Sequence, residues 1–161
     1  MIRPAEPGDA EQIRAIYNEY VAATVITFEE EPVARADMAQ RIANGADRYP
    51  WLVAEADGRI LGYAYAAQWR PRSAYRLAVE TTVYIHGDHQ RQGHGYSLYD
   101  TLLGQLRVHG FHRAIAAIAL PNPASVVLHE RLGFRKAGEL DEVGWKLGRW
   151  VNVGYWEMPL A

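Results

Sequence analysis

The segment that most restricts the fold is a β-rich run, Ala78 to Ile85, followed by a glycine-bearing loop, His86 to Gly95, and then by a strongly periodic helix. Within the run, Val79, Thr81, Val83 and Ile85 alternate with Glu80, Thr82 and Tyr84, so the two sets point to opposite faces of a strand. The helix is predicted over Tyr96–His109, with Leu98, Leu102 and Leu106 four apart and Gly110 as its stop. A buried strand over Ala114–Leu120 and a further helix over Ser125–Leu132, ended by Gly133, extend the pattern to β-α-β-α, which places the chain in the α/β class.

Elements on either side fit one layered domain. Met1–Arg3 is expected as an edge strand. Asp9 is the expected N-cap of a first helix, in a capping-box pattern with Gln12, and Ile13, Ile16, Tyr17, Tyr20 and Val21 line one face. A second helix is expected over Ala34–Asn44, with Met38 and Ile42 inward and Gly45 as stop. Trp51–Ala56 and Ile60–Gln68 read as a hairpin closed by Asp57-Gly58. A last strand pair, Phe134–Leu140 and Val151–Met158, brackets a loop carrying glycines and tryptophans. With no internal repeat or linker, one domain over residues 1–161 is expected, a length sufficient for one core.

Composition excludes more than it names. A net charge of −2 without a run of like charges offers no grip on a phosphate backbone or an anionic membrane. No run approaches the ~18 consecutive apolar residues of a membrane span, and the N-terminus has no secretory-leader pattern, so a cytoplasmic protein is expected. The 161 residues contain no cysteine, which removes disulfides, thiolate metal sites and a cysteine nucleophile together.

The chemistry is concentrated in Gln90-Arg91-Gln92-Gly93-His94-Gly95, between a strand and the first turn of a helix. Glycines there admit close backbone approach, and free N–H groups at a helix start form an anion nest suited to a pyrophosphate. A Gly-rich turn chosen for shape is the alternative. Neither G-x-x-x-x-G-K-[ST] nor G-x-G-x-x-G is completed, since Leu98 stands three residues after Gly95, so nucleotide hydrolysis and dinucleotide binding lose support. The arrangement resembles the acyl-CoA loop of the Gcn5-related N-acetyltransferase superfamily, whose Gln/Arg-x-x-Gly-x-Gly/Ala pattern Gln90, Gly93 and Gly95 match. Glu80-Thr-Thr-Val-Tyr-Ile85, Ile118-Ala-Leu-Pro-Asn122, Leu128-His-Glu-Arg-Leu-Gly-Phe134, Val143-Gly-Trp-Lys146 and Val153-Gly-Tyr-Trp156 extend the resemblance along nearly the whole chain. Together they are similar to the phosphinothricin acetyltransferase branch, which includes enzymes acting on methionine sulfoximine, methionine sulfone and arsinothricin.

That resemblance implies a twisted mixed sheet flanked by helices, its central parallel strands, here Ala78–Ile85 and Ala114–Leu120, splayed to admit the pantetheine of acetyl-CoA. It implies that the backbone of Val83, Tyr84 and Ile85 pairs with pantetheine, that Arg91, Gln92, Gly93, His94, Gly95 and Tyr96 hold the pyrophosphate, and that Asn122 contacts the arm further along. Glu80 is the implied general base, against the alternative of a salt-bridged strand residue. His129 is the implied proton donor to the departing sulfur, against a capping or core histidine.

Tyr75, Arg76, Thr81, Lys146 and Tyr155 are the candidate substrate contacts, with arginine suited to bidentate oxyanion recognition. Arg70, Arg72 and Arg149 could also offer charge, and Trp69, Trp145, Tyr155 and Trp156 could either wall the pocket or pack in the core. His86, His89 and His94 crowd one loop without completing a His-Glu-x-x-His pattern, so no metal is expected. With neither a cysteine nor a Gly-x-Ser-x-Gly elbow, direct transfer in a ternary complex is favoured. The expected partner is a small amine, in a detoxification or resistance role, and the resemblance implies a homodimer. Rival readings are an enzyme of the same fold acting on a polyamine or a protein N-terminus, and a noncatalytic acyl-CoA sensor.

Overall fold

The computed structural model describes residues 1–45 and 47–161. Over these residues the chain runs β1 (Ile2–Pro4), α1 (Ala10–Ala23), α2 (Arg35–Gly45), β2 (Trp51–Ala56), β3 (Arg59–Gln68), β4 (Ala78–Ile85), α3 (His94–Val108), β5 (Arg113–Leu120), α4 (Pro123–Arg131), β6 (Arg135–Lys146) and β7 (Arg149–Pro159). The strands form one sheet in the order β1-β2-β3-β4-β5-β7-β6. Neighbours are antiparallel except β4 and β5, which are parallel and pair over three residues, Ala78 with Arg113, Val79 with Ala114 and Glu80 with Ile115.

Strand alternation divides the core into two faces. On one, Leu98, Tyr99, Leu102, Leu103 and Leu106 of α3 cover Val79, Ala114, Ala116, Ile118 and Trp156. On the other, Ile13, Ile16, Tyr17 and Val21 of α1, with Met38 and Ile42 of α2, cover Trp51, Val53, Tyr63 and Tyr84. Each fully buried Leu or Ile contributes roughly 1.5–3 kcal/mol, so the two apolar stripes hold both helical layers on the sheet. Thr81 therefore faces α3, whereas Glu80, Thr82 and Tyr84 face the α1–α2 side.

Two local expectations are corrected. Asp9 does not cap α1 with its side chain; its carboxylate accepts from the Arg3 guanidinium at 2.8 and 2.9 Å and from the Glu6 N–H at 2.8 Å, while Gln12 bonds across to Gly58 and Ile60. A partly buried ion pair with Arg3 thus takes the acceptor a capping box needs. The Gly- and Trp-bearing segment before β7 is not a loop but the end of a long hairpin turned at Leu147-Gly148. Register shifts at Lys136/Gly138 and Leu140/Gly144 interrupt its alternation and hide the strand from a period-2 reading.

Candidate functional site

After Glu80 and Ile115 the two parallel strands separate. The gap is lined by Thr81, Thr82, Val83 and Tyr84 from β4, by Ala117, Ile118 and Ala119 from β5, and by Asn122, Ser125 and His129 at and beyond the start of α4. Ile26, from the α1–α2 loop, borders it from the other face. Glu80 stands at the apex, on the last register pair before the strands part.

Hydrogen bonds from Trp69 N–H to the Ala78 carbonyl and from His86 N–H to the Leu61 carbonyl fix the pairing parity of β3 with β4. Glu80, Thr82 and Tyr84 then turn their backbone groups to β3, and Val83 and Ile85 turn theirs to the gap. The Tyr84 backbone is thus not available for pantetheine, and the Ile85 carbonyl already accepts from the Tyr20 hydroxyl. Of the expected strand contacts, Val83 and the Ile85 N–H face the open side. Tyr20 also accepts from Gln90 Nε2 at 3.0 Å, tying α1 to the start of the glycine loop.

The loop has the conformation of an anion nest. Arg91 at φ 58° and Gly93 at φ 86° are left-handed, and α3 starts at His94, two residues earlier than predicted, because Gly93 closes the turn. A Cβ at Gly93 would have no heavy atom within 4 Å, so the space beside it is open, and the first-turn N–H groups of His94, Gly95 and Tyr96 lack intrahelical acceptors. These residues fit a pyrophosphate, and the gap fits an extended arm. Asn122 caps α4, its side-chain oxygen accepting from Ser125 N–H at 3.2 Å, which leaves its amide N–H groups for the arm.

The Glu80 carboxyl is half-buried, and burial raises its pKa above the usual carboxylate range, opposed by the charge of Arg70. Trp69 and Tyr155 meet edge to face at 5.9 Å, with the Arg70 guanidinium 4.0 Å above the Trp69 ring. Arg70 is the arginine that acts on Glu80, although the sequence gives Arg76 the greater weight. Tyr75 and Arg76 lie exposed on the turn before β4, where Arg76 donates to the Ser73 carbonyl.

Three candidate side chains are engaged within the protein. His129, 4% exposed, directs Nδ1 to the Ser125 carbonyl at 2.7 Å and Nε2 to the Tyr99 hydroxyl at 3.0 Å. A carbonyl only accepts, so Nδ1 carries the proton and Nε2 is assigned as acceptor. Burial also lowers the imidazole pKa, opposed by the Ser125 bond, and the assigned tautomer places no proton at Nε2 for a departing sulfur. This arrangement favours the core-histidine alternative over the expected proton donor.

Thr81 is buried and bonded to the Tyr99 hydroxyl on the α3 side, away from Glu80. Lys146, 3% exposed, donates to the Thr27 carbonyl at 2.8 Å, so its ammonium is engaged within the fold. Tyr99, which joins Thr81 to His129, is a residue that sequence reading does not single out. Its place on the Leu98–Leu106 stripe marks it as buried, and a buried tyrosine hydroxyl needs a partner. Trp156 is core and Trp145 is exposed. The rings of His86, His89 and His94 lie 5.5 and 6.5 Å apart pairwise, but among the described residues no three His, Cys, Asp or Glu side chains converge as a metal site. Among these residues no helix is long and apolar enough to cross a membrane.

Comparison with known proteins agrees with this geometry. The family model for the acetyltransferase (GNAT) domain matches residues 2–153. A phosphinothricin N-acetyltransferase of Streptomyces viridochromogenes is 42% identical over 97% of this chain and 85% of its own. The L-methionine sulfoximine/L-methionine sulfone acetyltransferase of Pseudomonas aeruginosa is 40% identical over 99% of this chain and 94% of its own. The crystal structure of a phosphinothricin acetyltransferase from Sinorhizobium meliloti in complex with acetyl-CoA superposes with a TM-score of 0.97 at 37% identity, covering 100% of this chain and 88% of that one. With the splayed parallel strands, the left-handed loop and a match along nearly its full length, the chain belongs to the GNAT acetyltransferase family.

Proposed function

We propose that the protein transfers the acetyl group of acetyl-CoA to the α-amine of a small acidic amino-acid analogue of the phosphinothricin or methionine sulfoximine type. The observation that carries this reading is that half-buried Glu80 stands on the last register pair before the strands part, its carboxyl under the influence of Arg70. The names of relatives at 40 and 42% identity support the substrate class. Glu80 takes the first proton from the substrate ammonium, and its raised pKa makes it a stronger base than an exposed carboxylate. The freed nitrogen bonds to the acetyl carbon, the carbon–sulfur bond breaks, and the second nitrogen proton ends on sulfur. Val83, the Ile85 N–H, Asn122 and the N–H groups of residues 91–96 hold the co-substrate. Arg70, Arg76 and Tyr75 are assigned to the acidic groups of the amine, and Tyr155 to the pocket wall. The chain has no cysteine to carry an acyl group, which supports direct transfer.

Thiol release from acetyl-CoA, followed with a panel of amines, tests the reading. Turnover is expected with phosphinothricin or methionine sulfoximine and not with a polyamine or a peptide N-terminus; the reverse ranking would sink the substrate class. We also assign the chain to the cytoplasm, where acetyl-CoA is made and used, and to a homodimer. The exposed apolar side chains Val143, Trp145, Leu147 and Trp150 at the tip of the β6–β7 hairpin form the patch that supports the dimer. Sedimentation should give twice the chain mass for the parent and a monomer for Trp150→Glu.

A further inference from the structure

A buried ammonium is costly unless it is paired, so the place of Lys146 on the inner face of β6 calls for a reason. Its Nζ donates at 2.8 Å to the carbonyl of Thr27, a residue 119 positions upstream in the loop joining α1 to α2. Two residues before it on the same strand face, Gly144 lies against Phe28, and a Cβ there would stand 2.3 Å from the Phe28 ring. The loop is thus held on β6 at two adjacent points. Its opposite side is held by α1 and α2, where Tyr17 Oη lies 2.8 Å from Thr27 Oγ1 and donates to Glu29 at 2.7 Å, while Arg41 grips Glu29 at 2.6 and 3.0 Å.

Immediately before these anchors the loop borders the gap. Val25 packs on Ala119 of β5 and Val151 of β7, and Ile26 borders the opening beside Thr82 and Tyr84. Ile26 thus borders the gap two residues along β4 from Glu80, on the side that Glu80 shares with Thr82 and Tyr84.

We propose that Lys146 is a positioning residue: by holding the Thr27 carbonyl it sets the loop from Thr24 to Val33 beside the gap, and through the loop it sets the affinity for the amine. The kinetic part rests on the acetyl-transfer reading above; the structural part does not. Lys146 then acts on substrate without touching it, unlike a direct carboxylate ligand.

The test uses Lys146→Met in the full chain, which keeps the stem and removes the donor. Hydrogen exchange over residues 24–33, measured without substrate, is expected to quicken by about tenfold or more, the scale of one lost bond to a charged group, while the β2–β3 hairpin keeps its protection. The KM for the amine should rise by about the same factor, with kcat and the acetyl-CoA KM changed by less than about threefold. An amine whose carboxylate is replaced by a carboxamide should suffer an equal loss. A smaller loss with the carboxamide would make Lys146 a direct ligand and overturn the proposal, as would unchanged loop exchange or a rise spread over the whole chain.

If Lys146→Met does not fold, Gly144→Ala loads the same loop through Phe28. Its rise in amine KM should be relieved by adding Phe28→Ala, and persistence of the defect in the double variant would overturn the proposal. A parent chain inactive on every amine, with loop exchange still quickened by Lys146→Met, would reject the acetyl-transfer reading and the kinetic part while keeping the pin.

Discussion

The Tyr99 hydroxyl lies 3.0 Å from His129 Nε2 and also bonds the Thr81 hydroxyl, so one buried phenol joins α3, α4 and β4 on the α3 side of the gap. Because Nδ1 of His129 donates to Ser125, the direction of the chain follows: Thr81 donates to Tyr99, and Tyr99 donates to His129. Burial raises the Tyr99 pKa, which keeps the phenol protonated and the chain intact at neutral pH.

Tyr99→Phe is expected to cost about 1–3 kcal/mol, because it leaves the Nε2 of His129 and the Thr81 hydroxyl without the partner that satisfies them. Urea unfolding should show a lower midpoint at an unchanged slope. Combining it with Thr81→Val should cost less than the sum of the two single changes, since both disrupt one bond. Full additivity would mean that Thr81 and Tyr99 are not coupled.

His129 makes stability depend on pH in a definite direction. Burial holds its folded pKa below the ordinary value of 6.5, so between the two the unfolded chain binds more protons. Its contribution is complete above pH 6.5 and is lost as the pH falls toward the folded pKa. The parent chain should therefore lose stability below about pH 6.5, and His129→Gln should flatten that part of the curve. An imidazolium acid at His129 would make kcat/KM fall as the pH rises through its folded pKa, below 6.5, and no such limb is expected. A limb there that disappears in His129→Gln would restore the imidazolium as acid.

Gly93→Ala should weaken acetyl-CoA through backbone strain. The site at φ 86° is left-handed and has open space around an added Cβ, so the methyl meets no neighbour and the cost is conformational, roughly 1–2 kcal/mol. If the loop relaxes to escape it, the N–H nest opens. The expected result is a higher KM for acetyl-CoA with the amine KM little changed. Equal affinity for acetyl-CoA in a folded variant would remove the loop from the site.

Much of this is legible in the chain. The alternation through Val79–Ile85, the leucine spacing of α3 and the glycine stops yield β4, α3 and β5, and with them the place of Glu80 on the central strand. The hairpin at Asp57-Gly58 is equally plain, since both residues sit at positive φ, as a tight turn of this kind requires. What escapes depends on contacts between distant segments. The burial of Lys146 is invisible because its partner is a backbone carbonyl, which every residue has. Arg70 and Arg76 look alike in the sequence, and only the turn before β4 separates them. Glu139 to Glu142 carry no alternating apolar set because β6 is an edge strand with shifted register.

Glu80→Gln should lower turnover while leaving folding and acetyl-CoA affinity intact. Glutamine keeps the shape of the side chain and cannot accept the substrate's proton. A positioned general base is worth about 10²–10⁴ in rate, so a loss of at least the lower figure at neutral pH is required. Burial raises the Glu80 pKa, so the parent's acid limb should lie above the ordinary carboxylate value of 4.5, and the variant should lack that limb. The same shift gives the opposite sign from His129 in folding: the folded state holds the Glu80 proton more tightly, so its contribution is present below pH 4.5 and is lost as the pH rises through the folded pKa. Glu80→Gln, uncharged throughout, should thus be as stable as the parent or more so at neutral pH, which separates a lost base from a damaged fold. Raising the pH should shrink the turnover deficit as more of the amine arrives already neutral. Near-parental turnover at both neutral and alkaline pH would show that the proton leaves by way of water or the substrate itself, and that the carboxylate at the apex serves another purpose.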